Sequence, residues 1–158
     1  MTNTINDLKK FMAKGIDRSI NDMSAPDRYK RFCADIPDFD GKSDYSNKYA
    51  LIAGIGDYSK DWGIILLSYP LPFHSNIIDA YLTGPGKGLK DVNVLGGGKI
   101  DISLDKITNK LVIKTYDKSC DFGPVKSKLA VKTCLDSFID DNFYVWSLNG
   151  GNVVYNIT

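Results

Sequence analysis

Apolar residues in this chain recur with two different periods, and the switches between them outline the expected elements. Residues 3–23 place Ile5, Leu8, Phe11, Met12, Ile16, Ile20 and Met23 at spacings of three and four, with Lys9, Lys10, Lys14, Asp17 and Arg18 off that stripe. That pattern predicts an amphipathic helix docking its apolar face on the main body. Residues 24–47 are polar and contain Pro26, Pro37 and Gly41, the composition of a connecting segment. From Tyr49 the period shortens. Residues 49–55 read as a strand, 56–61 as a turn, and 62–68 as a second strand apolar enough to lie centrally, ended by Pro70 and Pro72. Ile77, Ile78, Tyr81 and Leu82 fit a helix opening at His74 or Ser75 and ending at Gly84-Pro85-Gly86.

Further along, residues 92–95 read as a strand, Gly96-Gly97-Gly98 as a turn or bulge, and residues 99–103 as a second alternating stretch. Residues 104–110 resemble a hairpin connection to a strand at 111–116. After a loop, Pro124 suits a first helical position, and residues 125–139 form a helix with Leu129, Val131, Leu135, Phe138 and Ile139 on its apolar side. Residues 143–146 read as the closing strand, with 153–157 a candidate for one more. The order β-β-α-β-β-β-α-β does not alternate regularly. It predicts an α+β protein with a mixed, mainly antiparallel sheet of about six strands and helices packed on it. Two regions are expected: an N-terminal helical extension and linker over 1–46, and a sheet domain over 47–158.

Composition narrows the function classes. The chain has 158 residues, 43 % hydrophobic and 25 % charged, with 20 Lys+Arg against 19 Asp+Glu, a net charge of +1. That balance gives no broad electrostatic footprint for nucleic acid or an anionic membrane. A single histidine excludes His₂ and His₃ metal sites. Cys33, Cys120 and Cys134 form no CxxC pair, which argues against a zinc site or a disulfide framework. The longest apolar run, Ile64 to Leu67, is too short to span a membrane, and the first residues lack a signal-peptide core. A cytoplasmic, monomeric protein without nucleic-acid or membrane partners is expected. Gly84-Pro85-Gly86-Lys87-Gly88 lacks the Ser or Thr of a Walker loop and reads as a flexible turn.

His74 is the most informative residue. It follows an apolar strand and opens a helix, whose N-terminus offers free N–H groups and the positive end of the helix dipole. Ser75 and Asn76 supply further donors, and an imidazole there can act as acid, base or nucleophile near neutral pH.

Four segments together resemble the phosphohistidine phosphatase (janus/ocnus) family: Tyr49-Ala50-Leu51-Ile52, the stretch from Phe73 to Asp79 around His74, Val94-Leu95-Gly96-Gly97-Gly98-Lys99-Ile100, and Phe122-Gly123-Pro124. Tyr144-Val145-Trp146 is similar to that family's final strand. The resemblance spans roughly residues 47 to 150 and rests on the order and spacing of these motifs. It implies a mixed sheet with a helix on each face. It also implies hydrolysis of protein phosphohistidine without metal or cofactor, and a phosphohistidine-bearing protein as partner. His74 then stands at the catalytic position. Lys48, Ser75, Asn76, Lys99, Ser119, Cys120 and Asp121 stand at phosphate-binding positions. Lys99 replaces an arginine, losing its bidentate fork, and Asp121 replaces a small residue. These exchanges favour the alternative of a catalytically weak, janus-like regulatory or protein-binding module.

Overall fold

The computed structural model describes residues 31–55 and 62–158. The expected N-terminal helix and the turn at 56–61 lie outside them. The elements, in chain order, are β1 (Arg31–Asp35), β2 (Tyr45–Ile55), β3 (Trp62–Ser68), α1 (His74–Thr83), β4 (Lys90–Asp105), β5 (Lys110–Tyr116), α2 (Lys128–Asn142), α3 (Tyr144–Leu148) and β6 (Asn152–Ile157). The strands form one six-stranded sheet in the order β1-β3-β2-β4-β5-β6. The three inner pairs are antiparallel. Both edge strands run parallel to their neighbours. The fold is therefore α+β with a mixed sheet. No helix among the described residues is long and apolar enough to cross a membrane.

Alternation along the central strands sends apolar side chains to both faces. Leu51, Ala53, Ile64 and Leu66 face α2, which contributes Ala130, Val131, Cys134, Leu135, Phe138 and Ile139. Ala50, Ile52, Ile65 and Leu67 face α1, which contributes Ile77, Ile78 and Tyr81. Parallel β5 and β6 need a crossover, and α2 with α3 provides it.

Several expectations need correction. Residues 31–46 are not a linker: β1 pairs with β3, and Ile36, Phe39 and Tyr45 are buried in the α2-side core, so the sheet domain includes them and does not begin at 47. The β1 alternation is only five residues long between polar stretches, and pairing with β3 is what makes it a strand. Residues 90–105 form one long strand, not two; opposite Ala50 to Ile52 it carries an extra residue, so the triglycine is passed as a bulge. Pro124 does not open α2. Ser127 caps it, its side chain accepting the Ala130 N–H at 3.1 Å. Leu129 is exposed.

Residues 143–146 are not a strand. Tyr144 to Leu148 is a short helix, so the similarity of Tyr144-Val145-Trp146 to a closing strand fails. Phe143 packs against Phe39 and Phe138, and the Trp146 indole N–H donates to the Asn109 side chain at 2.7 Å. These contacts override the β-propensity of Phe-Tyr-Val-Trp. The closing strand is instead β6.

Candidate functional site

The site begins where β3 ends. Pro70 and Pro72 break the strand, and Phe73, in extended conformation, is the N-cap of α1 without a side-chain cap bond. Among the described residues, no backbone acceptor meets the N–H groups of His74 and Ser75, whereas those of Asn76 and Ile77 donate to the Phe73 carbonyl. Among the predicted donors, Ser75 thus keeps a free backbone N–H at the positive end of the helix, and Asn76 does not. Lys48 pins the chain just upstream. Its ammonium donates to the Pro72 carbonyl and lies 5.6 Å from the centroid of the Phe73 ring. The Lys48 backbone is held in turn by the Ser68 hydroxyl at 2.8 Å, which takes a bond of 2.6 Å from the Tyr45 hydroxyl.

His74 is buried, 7 % exposed, with Nε2 3.0 Å from the Gly98 carbonyl oxygen. A carbonyl only accepts, so Nε2 carries the proton and Nδ1 carries the lone pair. Burial pushes the imidazole pKa below its ordinary value, and the Lys48 charge adds to that. The Gly98 bond and the carboxylates of Asp121 and Asp117 pull the other way. The net effect favours a neutral ring with a basic Nδ1 at neutral pH.

The triglycine explains how so much backbone converges here. A Cβ on Gly97 would lie 2.9 Å from His74 Cδ2 and 2.5 Å from the Tyr49 carbonyl. Gly96, with φ of +101°, lies against Pro124, and a Cβ there would meet its carbonyl oxygen at 2.2 Å. Bare glycine lets the histidine and the 117–126 loop both close on β4. The loop is stitched down by three bonds: Gly97 N–H to the Gly123 carbonyl at 3.2 Å, Ser119 N–H to the Gly97 carbonyl at 3.1 Å, and Lys126 N–H to the Leu95 carbonyl at 2.9 Å. Ser119 and Gly123 also bridge each other, and Phe122 between them is buried in the α1-side core. This holds the loop rigidly beside His74.

The predicted phosphate-binding residues fall unevenly. Lys48 and Lys99 are cross-strand partners on β2 and β4; the Lys48 charge acts on His74, and Lys99 reaches the site through Asp117. Ser119 is buried; its backbone N–H is already bonded, and its hydroxyl accepts the Phe122 N–H at 3.2 Å, leaving its O–H to donate. Cys120 is exposed at the loop tip. Asp121 is half-buried and within electrostatic reach of His74. One residue was missed. Asp117 places Oδ2 3.6 Å from Lys99 Nζ and acts electrostatically on His74. Its φ of +66° holds it there, a conformation Asp tolerates better than most residues. The sequence signal was an Asp directly after a strand, which by itself reads as turn chemistry.

Comparison with known proteins adds no assignment: no protein-family model matches the chain, and no curated protein matches it significantly. The class is set by fold and site alone: an α+β sheet protein with a single buried imidazole at a helix N-terminus, flanked by two lysines and a loop.

Proposed function

We propose that this protein hydrolyses phosphohistidine on a protein substrate, without a metal, using His74. The observation that supports this reading most is the fixed tautomer of His74: Nε2–H bonded to the Gly98 carbonyl, with a lone pair on Nδ1 and a lowered pKa. Phosphoryl transfer proceeds through a loose transition state, so positioned charge matters more than covalent assistance. In this reading, Nδ1 either removes a proton from water as it attacks phosphorus or attacks phosphorus itself. The P–N bond breaks and the substrate imidazole leaves with a proton, handed on from Nδ1 in the first case and taken from water in the second, where a water then hydrolyses the phosphorylated His74 to free phosphate. The Ser75 N–H, the Ser119 hydroxyl and the 120–121 backbone receive the phosphoryl oxygens, and Lys48 and Lys99 supply positive charge.

The test is release of inorganic phosphate from a phosphohistidine-bearing protein. Wild type should release it with and without EDTA, and His74→Ala should lose at least about a hundred-fold in rate, the scale of a positioned acid–base group. Equal rates in both proteins would overturn the assignment. A second reading, a regulatory module of the same fold with weak or no catalysis, is favoured by one observation: Lys99 is already paired with the chain's own Asp117. Binding of a phosphohistidine protein without turnover would support it.

A further inference from the structure

Both lysines of the site are held by partners from the chain itself. Lys48 donates to the Pro72 carbonyl, and Lys99 sits 3.6 Å from the Asp117 carboxylate. The two interactions differ in consequence. A carbonyl leaves the Lys48 charge intact, whereas a carboxylate cancels the charge of Lys99. Asp117 is also held in place: its φ is +66°, and its second oxygen accepts the Lys118 N–H at 3.0 Å. It follows β5 directly, and Lys99 pairs with Tyr116 at the end of that strand, so the backbone fixes the carboxylate next to the ammonium.

Resting on the phosphatase reading, we propose that Asp117 is an internal competitor for the phosphoryl group. It occupies Lys99 in the resting protein, and an incoming phosphoryl oxygen must displace it. The pair is half exposed, at 48 % and 51 % of the two side chains. Such a pair is worth little in water and is readily exchanged for a better anion. The consequence is selectivity. Free phosphate, which brings only its own charge, binds poorly and leaves easily as product. A phosphohistidine presented by a protein brings the additional contact energy needed to release Lys99.

The test is a double-mutant cycle on phosphate affinity. Inorganic phosphate would be titrated into the full chain as wild type, Asp117→Asn, Lys99→Gln and the double variant, with phosphate inhibition of turnover as a second readout. Asn adopts the same positive φ and keeps an acceptor for the Lys118 N–H, so the backbone is preserved. Asp117→Asn should tighten phosphate binding by about five-fold, the upper range for losing an exposed pair. It should raise product inhibition in step with the tighter phosphate binding. In the Lys99→Gln background the same exchange should give a clearly smaller gain. Unchanged phosphate affinity in Asp117→Asn, or an equal gain with and without Lys99, overturns the proposal. Phosphate binding by none of the four proteins overturns the phosphatase reading as well, whereas binding that ignores Asp117 overturns only this one.

Discussion

Gly97 is where fold and site meet most tightly, and Gly97→Ala is the sharpest perturbation the geometry offers. The added Cβ would lie 2.5 Å from the Tyr49 carbonyl oxygen, 2.9 Å from His74 Cδ2 and 3.4 Å from the Ala50 Cα. Its φ is outside the left-handed region, so alanine meets no backbone penalty and the cost is steric alone. The Tyr49 carbonyl cannot retreat freely. Tyr49 is paired with Ser68 on one side and Gly98 on the other, in the middle of three antiparallel strands. Overpacking of this kind costs roughly 1–3 kcal/mol. For a chain of this length that lowers Tm by about 3–10 °C. The local effect is as informative. The imidazole must move away from β4, lengthening the 3.0 Å bond from Nε2 to the Gly98 carbonyl. Because His74 is the sole histidine, its ring resonances in a proton NMR titration are unambiguous. They should report an altered pKa in the variant. Gly123→Ala is the control: no atom lies within 4 Å of its Cβ, so only the strain of φ +76° is incurred, and the histidine titration should not move. A Gly97→Ala protein with Tm within about 1 °C of wild type and an unchanged titration would refute the steric argument.

Two further outcomes follow from the same structure. Ser127→Ala removes the acceptor of the Ala130 N–H at the start of α2 and should cost about 1 kcal/mol, a Tm loss of about 3–4 °C; an unchanged melt would show that the cap contributes nothing. The lowered pKa of His74 makes stability pH-dependent. Below the ordinary value of 6.5 the unfolded chain binds the proton that the folded chain resists. Stability present above that pH is therefore lost as pH falls through 6.5 toward the folded value. Comparing urea midpoints at pH 7.5 and below 6 for wild type and His74→Gln isolates this contribution. A wild-type loss no larger than the variant's would contradict it.

The sheet and its helices were largely legible because their signals are periodic. β3 is apolar on both faces because both faces are covered, and α1 and α2 show the spacing of helices with one buried side. The misread elements lacked such a signal. β1 is too short for its alternation to stand out from its polar flanks. Phe143 to Trp146 has strand propensity, yet it is bent into a helix by ring contacts with Phe39 and Phe138 and the indole bond to Asn109. His74 stood out by itself, as the one histidine and at the opening of a helix, whereas Lys48, Lys99 and Ser119 became candidates only through the family resemblance. The role of Asp117 was not legible, because an ion pair between residues 18 positions apart has no local pattern.

The sequence alone determined the central strands and the two longer helices, the near-neutral charge and the fact that any imidazole chemistry must fall to one residue. The periods of apolar positions and the composition are properties of the chain itself, readable without partners. The tertiary structure decided everything that depends on which strands become neighbours. Pairing of β2 with β4 sets Lys48 opposite Lys99, the bare glycines of β4 let His74 reach the Gly98 carbonyl, and closure of the 117–126 loop brings up the neighbouring carboxylates. Those contacts fix the tautomer and charge state of the histidine, because hydrogen bonds and desolvation act only at the short distances that folding creates.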